Sequence, residues 1–164
     1  MLKSVLRVAT ASVLMSAALT ATAAKPTSQD FQVSGVIQEI PGPSPRCASQ
    51  FGGTILVFGD SNVLGKVGFL SSDCITPNGA TYTFSDGRFM ITTLTGEMVF
   101  ASYSGQFVPT GQGTNFVFSN ASFQITGGTG RYHRASGGGD FTGSQELLTG
   151  TGTIKLNGKI TYRE

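Results

Sequence analysis

Beyond residue 24, apolar and polar residues alternate with a period of two, and no window holds a convincing 3.6-residue apolar period. Successive side chains of a strand point to opposite faces, so this pattern predicts half-buried β-strands. Phe31, Val33 and Gly35 lead into Val36-Ile37, and Pro41-Gly42-Pro43-Ser44-Pro45 is expected to stop that strand in a rigid loop. Thr54 to Phe58 predicts a second strand with its turn at Gly59-Asp60-Ser61-Asn62, and Val63 to Leu70 a third. In Pro77-Asn78-Gly79, Pro presets φ and Asn-Gly tolerates positive φ, which predicts a turn. Thr81 to Ser85 places Tyr82 and Phe84 on one face, and a break at Asp86-Gly87 is expected before a strand over Arg88 to Leu94.

Glu97 to Val108 is a longer strand, with Val99, Ala101, Tyr103, Gly105 and Phe107 on one face. Asn115 to Ser119 pairs Phe116 with Phe118, yet Phe123 and Ile125 fall on the opposite parity, so a bulge is expected near Asn120-Ala121. Asn157-Gly158 looks like a hairpin turn. A turn there splits the apolar set across two faces, whereas one strand from Gly150 to Tyr162 aligns Ile154, Leu156, Ile160 and Tyr162. Its glycines mark close packing. The sum is an all-β chain of about eight strands, expected to close as a single antiparallel barrel because closure removes exposed edges.

The N-terminus follows another pattern. Lys3 and Arg7 precede an apolar run from Val8 to Leu19, which ends in Ala21-Thr22-Ala23-Ala24. That order predicts a cleaved signal peptide over residues 1–24, cut after Ala23 or Ala24, and one barrel domain over 25–164. The apolar run is too short to span a bilayer. The expected destination is secreted or periplasmic.

Composition narrows the function. The chain has 11 basic and 9 acidic residues; without Lys3 and Arg7 the counts are nine and nine, a net charge of zero. With no basic stripe, nucleic-acid binding is not expected. Charged residues are 12% of the chain, so Ser, Thr, Asn, Gln and Gly are expected to carry the surface. An outer-membrane barrel is the poorer reading, since several strands look short and the chain ends Tyr162-Arg163-Glu164. Cys47 and Cys74 are expected to pair in an oxidising compartment, closing a loop worth roughly 3 kcal/mol. Free thiols or a metal site are the alternatives. No His lies near either cysteine and neither forms a CxxC, so no metal is expected, nor any cofactor.

The most distinctive stretch is Gly127-Gly128-Thr129-Gly130-Arg131-Tyr132, followed by Ala135-Ser136-Gly137 and Phe141-Thr142-Gly143. It lacks the Lys-Ser/Thr and helix of a phosphate loop, so a tight connection between strands is the better reading. At these residues the chain resembles the allene oxide cyclase and dirigent-like barrel proteins, bacterial relatives included. The resemblance spans Phe116 to Tyr162. It implies a calycin-like eight-stranded barrel with an apolar cavity, in a family whose members cyclise unsaturated lipids or steer phenolic radical coupling. No acidic catalytic residue of those enzymes matches a defined position here, and His133-Arg134 stands where small or polar residues are expected.

Candidate chemistry is sparse. His133 is the only histidine; with Arg131 and Arg134 it forms a basic cluster that could hold a carboxylate or phosphate, or else a solvated turn. Asp86, Glu97 and Asp140 are the candidate acids. No Gly-x-Ser-x-Gly elbow supports a Ser-His-Asp triad. Tyr82, Phe84, Tyr103, Phe107, Phe116 and Phe118 form an aromatic stripe that fills the core or lines a cavity. Three functions remain: binding a small apolar or phenolic molecule or serving as a structural module, isomerase or cyclase work in a shaped cavity, and partner binding or oligomer formation. The second requires a buried carboxylate or tyrosine facing a cavity.

Overall fold

The computed structural model describes residues 25–163; the expected signal peptide over 1–24 lies outside them. Eight strands follow in chain order: β1 Pro26–Pro43, β2 Phe51–Ser61, β3 Gly65–Asn78, β4 Thr81–Thr93, β5 Met98–Pro109, β6 Asn115–Gly128, β7 Ser136–Glu146 and β8 Thr151–Arg163. Each pairs antiparallel with its sequence neighbour, and β1 pairs with β8 to close the barrel. Closure satisfies both edges of the sheet. Cys47 and Cys74 are joined, tying the β1–β2 loop to the end of β3.

The long C-terminal strand is present, with Leu156, Ile160 and Tyr162 buried on one parity. A Cβ on its Gly158 would lie 2.2 Å from the Gly138 carbonyl oxygen, so β7 approaches there as only glycine allows. The bulge near Asn120 is also present: Asn120 takes φ 47° and the β5–β6 register shifts beside it, which brings Phe116 and Phe123 to the same interior.

Several expectations are corrected. None of the eight strands is short, since they run from 11 to 18 residues, and β2 continues through Gly59-Asp60-Ser61 with its turn at Asn62-Val63-Leu64, because those strand residues pair with both β1 and β3. Asp86-Gly87 is a bulge inside one continuous strand rather than a turn between two. Phe84 and Phe89 are both buried although five residues apart, and an odd spacing can serve one face only if a residue is inserted. Likewise Pro41 and Pro43 belong to β1, opposite Gly53 and Phe51. The Glu39 amide donates toward β8, to the Gly150 carbonyl, at 2.8 Å. Backbone groups alternate sides, so Pro41 and Pro43 turn their nitrogens to that same side, past the β8 residues paired with β1.

The two barrel ends differ. At one, Gly130–Tyr132 forms a single 3-10 turn between β6 and β7, and Tyr132 is fully buried against Tyr162, with ring centroids 5.0 Å apart. Phe31, Leu64, Val99, Ala135 and Ile160 are buried with it. The Gly-rich motif therefore closes that end. The other end carries the β1–β2, β3–β4, β5–β6 and β7–β8 connections and the disulfide.

The outer wall is two-faced. Val36, Leu56, Phe58 and Leu70 are 41–65% exposed and lie across from one another on β1, β2 and β3, with Ile40 beside them. Over β6–β8 the outward positions are mostly polar, among them Ser122, Gln124, Asp140, Thr142, Ser144, Thr153 and Lys155, with Val117 the large apolar exception.

Candidate functional site

The barrel interior is mainly an aromatic cluster around Phe84, which is 2% exposed. Phe107 meets it edge-on at 4.9 Å between centroids, Phe141 stacks at 5.9 Å, and Tyr103 and Phe118 each lie at 6.1 Å. Among these rings is an inner cavity of about 50 Å³, room for a few waters at most. Nearer the open end, Pro41, Phe51, Ile75, Tyr82, Phe107 and Leu147 surround a second chamber of about 150 Å³. Glu39 and Phe107 line both and form the partition between them.

The inner wall is not wholly apolar. Glu39 and Asp73 are 4% and 3% exposed, with Ser71 and Gln145 also buried. Strand alternation explains their position. Phe31, Val33, Ile37 and Glu39 share one parity of β1, and Val67, Phe69, Ser71, Asp73 and Ile75 share one parity of β3. Both acids therefore stand where each strand otherwise presents its core residues.

Their hydrogen bonds are few. Gln145 Nε2 donates to Glu39 Oε2, while Glu39 Oε1 is buried with no partner. Tyr103 donates its hydroxyl to Asp73 Oδ2 at 3.0 Å, and the Gly53 amide donates to Asp73 Oδ1 at 3.2 Å. Gly53 lies between the acids. A Cβ there would sit 2.0 Å from Glu39 Oε1 and 3.2 Å from Asp73 Oδ1, so the missing side chain is what lets both carboxyls reach the wall.

Burial disfavours the charged form of each acid. It pushes Glu39 from the ordinary 4.5 up to about 7; the Gln145 bond opposes this and the neighbouring Asp73 charge adds to it. It pushes Asp73 from 3.8 up to about 6, against the Tyr103 and Gly53 hydrogen bonds and the charge of Arg46. Tyr103 is raised well above 10, first by burial and then by the Asp73 charge. Near neutral pH, Glu39 thus holds or gives up a proton at little cost, the condition for general acid–base work.

The residues singled out in the sequence divide between the two ends. Phe84, Tyr103 and Phe118 line the inner cavity, and Tyr82 lines the mouth chamber. Phe116 packs on Tyr82 at 5.8 Å. Arg131 and His133 lie at the closed end, away from both chambers. Arg131 pairs with Glu97 at 3.3 Å and covers the Tyr132 ring at 5.0 Å, while His133 is exposed. Of the candidate acids, Asp86 and Asp140 are exposed and Glu97 holds Arg131. The two acids of the inner wall were not among them, although parity marks both. Among the described residues no group of three or more His, Cys, Asp or Glu is arranged to hold a metal ion.

Fold and site together define a closed antiparallel barrel with a pair of acids on its inner wall. No family model matches the chain, and no curated protein matches it. Among solved structures it is similar to a pterocarpan synthase dirigent protein, at 15% identity over 94% of this chain and 100% of that one, with a TM-score of 0.38. The barrel described above rests on its own strand pairing.

Proposed function

We propose that this protein is an exported binding cup. It takes a small ring-bearing molecule into the mouth chamber and exchanges a proton with it through Glu39, as a cofactor-independent isomerase or cyclase does. The observation that carries this reading is the Glu39 carboxyl. It is buried, has one oxygen without a partner, and belongs to a residue that lines the mouth chamber together with Phe51, Tyr82 and Phe107. A cavity of about 150 Å³ holds a benzene-sized molecule, and a few placed polar groups then fix its orientation. Asp73, also raised by burial, lies behind Glu39 on the wall of the inner cavity. The Cys47–Cys74 bond supports export, since such bonds persist in oxidising compartments. The mostly polar outer face of β6–β8 supports a barrel outside the bilayer, because a lipid-embedded barrel is apolar around its whole girth.

The test is a calorimetric panel of phenols, methylbenzenes and unsaturated fatty acids, run on the wild type and Glu39→Gln. Ring compounds should bind at one site, and Glu39→Gln should abolish deuterium uptake from solvent into the bound ligand. A panel with no binder overturns the reading.

A second reading concerns the outer wall. The exposed side chains of Val36, Ile40, Leu56, Phe58 and Leu70 amount to roughly 500 Å² of apolar surface, a large share of the roughly 800 Å² one partner contributes to a stable interface. With the chain beyond residue 24 at zero net charge, nothing long-range opposes a second copy covering this face. Sedimentation should then show a dimer or larger assembly that Phe58→Lys dissociates. A monomer at high concentration removes this reading.

A further inference from the structure

We infer that the polar head recognised in the mouth chamber is an organic ammonium ion, so that the ligand class is a small aromatic amine carried as its cation. This rests on the chamber accepting a ring, as proposed above, and goes on to say what the ring must carry.

The argument is one of charge and unmet bonding. Sixteen residues line the inner cavity and seven the mouth chamber; Glu39 and Asp73 are among them, and no Lys, Arg or His is. The nearest cation, Arg46, is exposed and engaged elsewhere, donating to the Asp86 carbonyl at 3.2 Å and to Ser72 Oγ at 3.4 Å. Glu39 Oε1 has no donor at all. A buried carboxylate oxygen without a donor is costly, and an N–H⁺ that reached it would satisfy it with a charge-assisted hydrogen bond. Phe51, Tyr82 and Phe107 line the same chamber as Glu39, and aromatic rings attract a cation at their faces. A carboxylate-bearing ligand meets the opposite situation: two acids, with no Lys, Arg or His in the lining of either chamber.

The groups facing Glu39 set the pH response. Gln145 on β7 donates to it, Asp73 on β3 repels its charge, and Tyr103 on β5 remains neutral. Binding an ammonium ion requires ionised Glu39, whose proton leaves at about pH 7. Affinity for the amine should therefore fall about tenfold for each pH unit below 7, while a neutral ligand of the same shape binds equally throughout.

The experiment uses three probes of one shape: benzylamine, benzyl alcohol and benzoate, titrated calorimetrically into the full-length protein between pH 5 and 8. Benzylamine should bind at least tenfold more tightly than benzyl alcohol at pH 8, and benzoate should not bind. That preference should disappear by pH 5 and be absent in Glu39→Gln, whose barrel fold is checked by circular dichroism. Asp73→Asn, a second variant, should keep the preference in weakened form. Equal or tighter binding of benzyl alcohol at pH 8, or a preference that survives in Glu39→Gln, overturns the assignment while leaving ring binding intact. If none of the three binds, the ring-binding reading fails and the assignment falls with it.

Discussion

Raising the pH from 4.5 to 7 should destabilise this protein, the reverse of what ordinary carboxylates do. In most folded proteins the native state holds carboxylates ionised and is lost in acid. Here Glu39 and Asp73 are both raised above their unfolded values by burial, so the native state binds more protons than the unfolded chain across the intervening range. Stability is then fully present below the unfolded values near 4. It declines as pH rises, and the loss is complete once pH passes the folded values of about 6 and about 7. At 1.36 kcal/mol per unit, each acid contributes a loss of about 3 kcal/mol, with the shared Asp73–Glu39 repulsion counted within the pair. Glu146 acts in the other direction and lower down. Its hydrogen bonds from Thr114 and Thr149 hold it near 2, so its contribution disappears only as pH falls below 4.5. Urea unfolding followed by circular dichroism, with the disulfide intact, should give maximal stability near pH 4.5 and a loss of several kcal/mol by pH 8. Glu39→Gln should remove about half of that slope and be more stable than the wild type at pH 8, because it keeps the shape and eliminates the buried charge. A stability that is flat or rises between pH 5 and 8 would refute the claim that these carboxyls face a dry wall.

Two further outcomes follow from the packing. Replacing Cys47 and Cys74 together with serine removes a bond between residues 27 apart and should lower stability by about 3 kcal/mol, measured by urea unfolding with a steeper slope as the freed unfolded chain exposes more surface. Tyr132 is fully buried and its hydroxyl has no partner, so Tyr132→Phe should be neutral or stabilising by up to about 1 kcal/mol. Tyr132→Ala, by contrast, should cost about 3–5 kcal/mol in the same unfolding assay by emptying the closed end.

Much of the barrel is legible in the residues because a strand has only two faces. The parity of Val99 through Phe107, the slip between Phe118 and Phe123, and the unbroken run to Tyr162 each announce a structural fact before any pairing is known. Asp86-Gly87 misleads because the dipeptide that makes a tight turn also makes a bulge; only the odd spacing of Phe84 and Phe89 separates the two. The inner acids were legible by the same rule. Glu39 continues the parity of Phe31, Val33 and Ile37, and Asp73 that of Val67 and Phe69, so a charged residue at a core position is itself the signal. What parity does not convey is which end of a barrel is open. Arg131 and His133 read as a basic site, yet the β6–β7 turn carries them to the plugged end, a result of closure across the whole chain. The apolar outer wall escaped for a similar reason, since Val36, Phe58 and Leu70 become one surface only through cross-strand register.

The plug built by Gly130–Tyr132 has a consequence for exchange kinetics. Tyr132, Phe31 and Ile160 fill one end, so a molecule that reaches Glu39 leaves by the passage it entered. Displaced water and incoming ligand share that passage, and two ligands cannot pass each other within it. Release is therefore a unimolecular event whose rate an excess of competitor leaves unchanged. In a chase experiment the bound molecule should depart with a single rate constant, independent of what waits outside.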